Sequence, residues 1–137
     1  MILYIFLVFG LLVLSVFISL RVALNKDIKE LDRTPLHLKF KIMSDFINNK
    51  SFDGKGEFKI VDKRTFVIYE TTNFRSEYFR FEYSSGHLSV YWNINSNFIN
   101  TKKTFEFRNL RNVLDNGQLE MAKYIVAWTE DKIQKKV

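Results

Sequence analysis

Cysteine is absent from the chain. Its absence excludes disulfides, a thiolate nucleophile and zinc sites of the thiolate type. Histidine is scarce as well, since only His37 and His87 offer an imidazole that titrates near neutral pH. Proline occurs once and glycine five times, and no internal repeat or low-complexity linker separates one part of the chain from another. Charge is missing from Met1 to Leu20, because every Lys, Arg, Asp and Glu lies from Arg21 onward. The formal net charge of +6 therefore belongs to the remaining residues.

The uncharged run MILYIFLVFGLLVLSVFISL is about 30 Å long as a helix, which matches the hydrocarbon thickness of a bilayer. Its Leu, Ile, Val and Phe residues favour insertion by roughly −5 to −9 kcal/mol in total. A cleaved signal peptide would need a basic start, a shorter apolar stretch and a small-x-small cleavage site, and Ser19-Leu20-Arg21 puts an arginine where a small residue belongs. A core helix of so small a domain would have one polar face. Residues 1–20 are thus expected to be a transmembrane anchor. The cations Arg21, Lys26, Lys29 and Arg33 follow the run and none precedes it, so the positive-inside rule places a single-pass chain in the cell membrane with its domain in the cytoplasm.

Residues 21–33 continue the helical pattern as a stalk, with Leu24, Ile28 and Leu31 on one face. Residues 34–137 are expected to form one α+β domain. Thr34-Pro35 has the form of an N-cap followed by a first-turn proline, and Leu36, Phe40, Met43 and Ile47 make the apolar stripe of a helix. Residues 36–42 also alternate as a strand would, and the alternation competes with the helical reading. From Glu57 the period is two: Phe58 and Ile60, then Thr65 to Glu70, Tyr78 to Tyr83, Leu88 to Ile94 and Thr104 to Arg108. Short polar turns between these runs predict a five-stranded antiparallel meander with one buried face. Asp115 and Gln118 have capping-box spacing, and Leu119, Ala122, Val126, Thr129 and Ile133 carry a C-terminal helix across the sheet.

No catalytic, cofactor-binding or metal-ligating residue can be assigned, and no cofactor is expected. Ser84-Ser85-Gly86-His87 sets a serine beside an imidazole, but neighbours in a tight turn point apart, unlike a triad. Gly54-Lys55-Gly56 lacks the rest of a P-loop and precedes a strand. Asp45, Asp53 and Asp62 are too scattered for a hard-metal site. The sequon Asn49-Lys50-Ser51 would never meet the glycosylation machinery in the cytoplasm. Tyr78 to Tyr83 interleaves aromatics with charge, but the glycine-free pattern does not match an RNA-stacking strand, so nucleic acid is not an expected partner. Anionic lipid contact is expected to be weak, because Asp27, Glu30 and Asp32 interrupt the cations of the stalk.

These features together predict a single-pass, membrane-tethered, non-enzymatic interaction module with a protein partner. A toxin-neutralising immunity protein is one concrete form of it. The alternative is a tethered regulator that binds a small apolar ligand or lipid between sheet and helices. An enzyme ranks third, because no acid, base and nucleophile can be assembled.

Overall fold

The computed structural model describes residues 1–136. It begins with one unbroken helix, α1 (Ile2–Arg33), of 32 residues and about 48 Å. The uncharged part of α1 is long and apolar enough to cross a bilayer, and none of its most apolar stretch is buried. The helix stops where the sequence requires. Thr34 precedes the only proline, whose ring excludes the helical conformation from the residue before it. Thr34 is extended accordingly, at φ −135° and ψ 98°, while its N–H still bonds to Glu30 O.

The helix expected from Thr34 onward is present, but it divides into α2 (Leu36–Lys39) and α3 (Lys41–Phe52). The strand alternative for residues 36–42 is not adopted. Thr34 closes α1 rather than capping α2, and Phe40 leaves helical geometry at φ −106° and ψ 29°. The break turns the chain without disturbing the stripe, since Leu36, Phe40, Met43 and Ile47 are all buried. Asp53 and Gly54 end α3 in left-handed conformations. Gly56 is required for another reason: a Cβ there would lie 2.6 Å from Asn48 Oδ1 and 2.8 Å from Ile68 and Phe52.

The sheet is an antiparallel meander in the order β1 (Glu57–Asp62), β2 (Thr65–Thr71), β3 (Arg75–Ser84), β4 (His87–Ser96), β5 (Asn100–Phe107). Alternation sends Phe66 and Ile68 of β2, Phe79, Phe81 and Tyr83 of β3, and Leu88, Val90, Trp92 and Ile94 of β4 to one buried face. There Phe66 and Phe81 stack with centroids 4.4 Å apart. Helices α3 and α4 (Asp115–Lys136) cover this face with Met43, Ile47, Ala122, Ile125 and Val126. Each large side chain so enclosed contributes about 1.5–3 kcal/mol of apolar burial. The capping box expected at Asp115 is not what Gln118 makes. Its buried amide instead donates to Lys39 O at 2.7 Å and accepts from Met43 N–H at 3.4 Å, tying α4 to α2 and α3.

Candidate functional site

The last turns of α1 are joined to the domain by a cluster of charged side chains. Asp27 and Glu30, three residues apart, lie on one side of the helix with Leu31, and Asp27 and Leu31 are buried. Two hairpin turns and the loop before α4 reach this face. The β3–β4 turn brings Ser85, whose N–H donates to Asp27 Oδ2 at 2.7 Å. From the loop comes Arg111, with Nη2 2.8 Å from Asp27 Oδ1 and Nη1 2.9 Å from Glu30 Oε2. The first contact is an ion pair without hydrogen-bond alignment. Arg64 of the β1–β2 turn stands 3.7 Å from Asp27 Oδ2. Lys39 Nζ lies 2.7 Å from Glu30 Oε1 and donates to Arg111 O at 2.8 Å.

Tyr83 completes the cluster from β3, its hydroxyl 2.9 Å from Glu30 Oε2. Burial and then the hydrogen bond to Glu30 raise the pKa of the phenol well above its ordinary 10.0. Burial works against the Arg111 charge, but the adjoining Asp27 carboxylate outweighs it, so the guanidinium is held more firmly protonated. The outcome is a clamp of two carboxylates and three cations at the foot of α1. A buried ion pair whose partner is removed destabilises strongly, so this clamp fixes the helix on the domain. Residues 21–33 therefore continue the helix, but their last turns are integrated into the folded unit.

The outer face of the sheet is covered by no helix among the described residues. Across it run two cross-strand rows: Val67, Arg80, Tyr91 and Thr104, and Tyr69, Tyr78, Asn93 and Lys102. The guanidinium of Arg80 lies 5.9 Å from the Tyr91 ring centroid and also pairs with Glu82. Burial and Glu82 raise the Tyr91 pKa, and a hydrogen bond from Tyr69 to Glu57 raises that of Tyr69. Of the run Tyr78 to Tyr83, Tyr78, Arg80 and Glu82 lie on this face, while Phe79, Phe81 and Tyr83 belong to the core.

A third feature is the uncovered inner side of β1. Phe58 and Ile60 pair with Ile68 and Phe66, so they share the core-facing side of the sheet, yet both are exposed. With His37 and Leu38 they line an open cleft of about 430 Å³. Glu77, in contrast, is a buried carboxylate with its partners in place: Trp92 Nε1 donates to it at 2.8 Å and Arg75 pairs with its other oxygen.

The remaining residues weighed from the sequence are held in separate places. His87 Nδ1 accepts from Asn109 N–H at 3.3 Å. Ser85 sits at φ 53° in the hairpin turn, and its N–H serves Asp27. Asp45 pairs with Lys41, Asp53 ends α3, and Asp62 accepts from Arg64 N–H in the β1–β2 turn. The clamp escaped sequence reading because its partners are far apart in the chain, with Glu30 and Arg111 separated by 81 positions. The only local signal was the spacing of Asp27, Glu30 and Leu31 on one helical face. No family model, curated protein or solved structure matches this chain.

Proposed function

We propose that the protein is a single-pass, membrane-tethered, non-enzymatic interaction module, and that its cytoplasmic domain presents the outer face of the sheet to a partner protein. The observation that carries this reading is the uncovered double row around Arg80, Tyr91, Tyr69 and Tyr78. Tyrosine and arginine are the residues that dominate the energetic centres of protein interfaces, where a ring supplies area at low entropic cost. The orientation rests on Arg21, Lys26, Lys29 and Arg33, which follow the apolar run.

A photo-reactive residue in place of Tyr78, expressed in the native cell, tests the reading. The expected result is one discrete cross-linked species that disappears when Arg80→Glu is added at unchanged protein level. Equal cross-linking from position 58, on the other side of the sheet, would refute the assignment of this face. A second reading, a tethered regulator that binds a small apolar ligand, is favoured by the cleft beside Phe58 and Ile60. For that reading, Phe58→Ser should abolish the enhanced fluorescence of a bound apolar dye.

A further inference from the structure

The cations of α1 are sorted by the clamp in a way the sequence conceals. In sequence, Asp27, Glu30 and Asp32 interrupt Lys26, Lys29 and Arg33. In the fold, Asp27 and Glu30 turn inward to Arg111 and Lys39, and Asp32 pairs with Lys63 at 2.9 Å. All three acids are thereby engaged by residues of the domain. Lys26, Lys29 and Arg33 have no acidic partner within ion-pair distance among the described residues. At 3.6 residues per turn they fall within an arc of about 60° on one side of the helix. They form one wall of a cleft of about 580 Å³ between α1, α2 and the loop before α4, whose inner wall holds Lys39 and Arg111. Glu30 and Asp115 are the acidic side chains that line it.

The height of the cleft identifies its ligand. Exposed apolar surface continues past Leu20 through Val22 and Leu24, while the guanidinium of Arg21 folds back to 5.2 Å from the Phe17 ring centroid. At a rise of 1.5 Å per residue, Lys26, Lys29 and Arg33 are about 3, 7.5 and 13.5 Å beyond Leu24, and helical side chains tilt toward the N-terminus, so the long Arg33 side chain leans back toward the bilayer. The headgroup layer is about 5–7 Å thick on each side of the hydrocarbon. When the apolar surface of α1 is immersed, the mouth of the cleft opens at the level of lipid phosphates.

We propose that this cleft binds the headgroup of an anionic phospholipid from the leaflet that α1 enters, with Lys26, Lys29 and Arg33 as its ligands. The proposal rests on the membrane-tether reading. Three uncompensated cations near a leaflet correspond to about a hundredfold preference for anionic over zwitterionic lipid.

The full chain in detergent, offered equal amounts of phosphatidylglycerol and phosphatidylcholine, tests this by native mass spectrometry. The expected result is a bound phosphatidylglycerol retained at least tenfold over phosphatidylcholine. Lys26→Gln, Lys29→Gln and Arg33→Gln together should abolish that preference. Lys59→Gln, Lys102→Gln and Lys123→Gln, which remove the same charge elsewhere, should keep it. Equal retention of the two lipids by the unaltered chain overturns the proposal, as does an equal loss in both triple variants. Displacement of the lipid by millimolar inorganic phosphate overturns it in favour of a free-anion site. Sedimentation with phosphatidylcholine vesicles separates the two readings. A chain that sediments but shows no lipid preference defeats the headgroup site alone, and one that does not sediment defeats the tether and the site together.

Discussion

Replacing Asp27 by asparagine changes the charge at the centre of the clamp and almost nothing of its shape. The carboxylate is fully buried, accepts the Ser85 N–H at 2.7 Å and faces Arg111 Nη2 at 2.8 Å. An amide in its place can still accept from Ser85 through its oxygen. Its NH2 group then faces the guanidinium, donor against donor. Breaking a buried ion pair from one side costs about 3–5 kcal/mol. Arg111 is partly open to water and keeps Glu30 at 2.9 Å, which places Asp27→Asn at the lower end, about 3 kcal/mol. Arg111→Met is expected to cost more, because it leaves a fully buried carboxylate with only the Ser85 N–H and Arg64 at 3.7 Å. The two changes act on one contact, so the double variant should lose less than the sum of the singles by about 0.5–3 kcal/mol.

Urea unfolding of a chain that starts at Arg21 measures all three variants without detergent. At a slope of about 2 kcal/mol per molar, the asparagine variant should unfold about 1.5 M earlier than the parent. For a domain with about 5–15 kcal/mol of stability, that loss leaves the fold intact but visibly weakened. A midpoint within about 0.3 M of the parent, together with additive single and double variants, would refute the reasoning. It would mean that the foot of α1 does not dock on the domain in solution.

A chain starting at Asp32 should remain soluble and unfold cooperatively, but with about 2–4 kcal/mol less stability in urea. It loses the buried Leu31 and the bonds of Glu30 to Tyr83 and Arg111, while the cations left behind regain water because their cover leaves as well. Alkaline titration reports on Tyr83: its folded pKa lies above the ordinary 10.0, so its contribution is full below pH 10 and is lost as pH rises beyond it. Tyr83→Phe should therefore flatten the fall in stability above pH 10 by at most about 1.4 kcal/mol per pH unit. Trp92→Ala should cost at least about 3–5 kcal/mol and lower the cellular protein level, because it opens a cavity and removes the indole donor of buried Glu77. His37→Ala and His87→Ala together should leave both protein level and phenotype unchanged, and loss of phenotype at normal abundance would return an enzyme reading to the front.

The sheet was legible because strands with one buried face alternate, and Phe79, Phe81 and Tyr83 or Leu88, Val90, Trp92 and Ile94 do so without interruption. Strand ends were under-read where polar residues continue the pairing. Arg75 to Glu77 extend β3 and Asn100 to Lys103 extend β5, held by backbone bonds that carry no side-chain signature. The break at Phe40 was illegible for a similar reason, since the apolar stripe passes through it unchanged. Gln118 was misassigned because its capping-box spacing is local, whereas its partners Lys39 and Met43 lie 79 and 75 positions away. On α1 the apolar residues were the misleading signal. Leu24, Ile28 and Leu31 mark one apolar face, but the domain buries Asp27 and Leu31 and engages half-buried Glu30, with charge partners supplied from distant loops.

A tether that only keeps a domain near a surface needs length and flexibility, which glycine and serine provide. Here the connection has neither. Between Ile2 and Arg33 there is no proline, the single glycine sits at position 10 inside the apolar run, and the helix ends in the clamp. Burying Asp27 carries a desolvation penalty that an apolar contact would avoid. A contact bought at that cost specifies geometry more than it adds stability, because only one rotation of α1 brings Asp27 and Glu30 to Arg111 and Lys39. The same rotation sets Lys26, Lys29 and Arg33 along the cleft beside Glu30, Lys39 and Arg111. It also fixes which ends of the sheet lie near the helix: the β1–β2 and β3–β4 turns touch α1, and the β2–β3 and β4–β5 turns, with exposed Phe74 and Phe98, are a strand length away. A ten-residue strand spans about 33 Å. With the helix held in a bilayer, the tyrosine and arginine rows of the outer face would keep one orientation relative to the membrane, which restricts the directions from which a partner can dock.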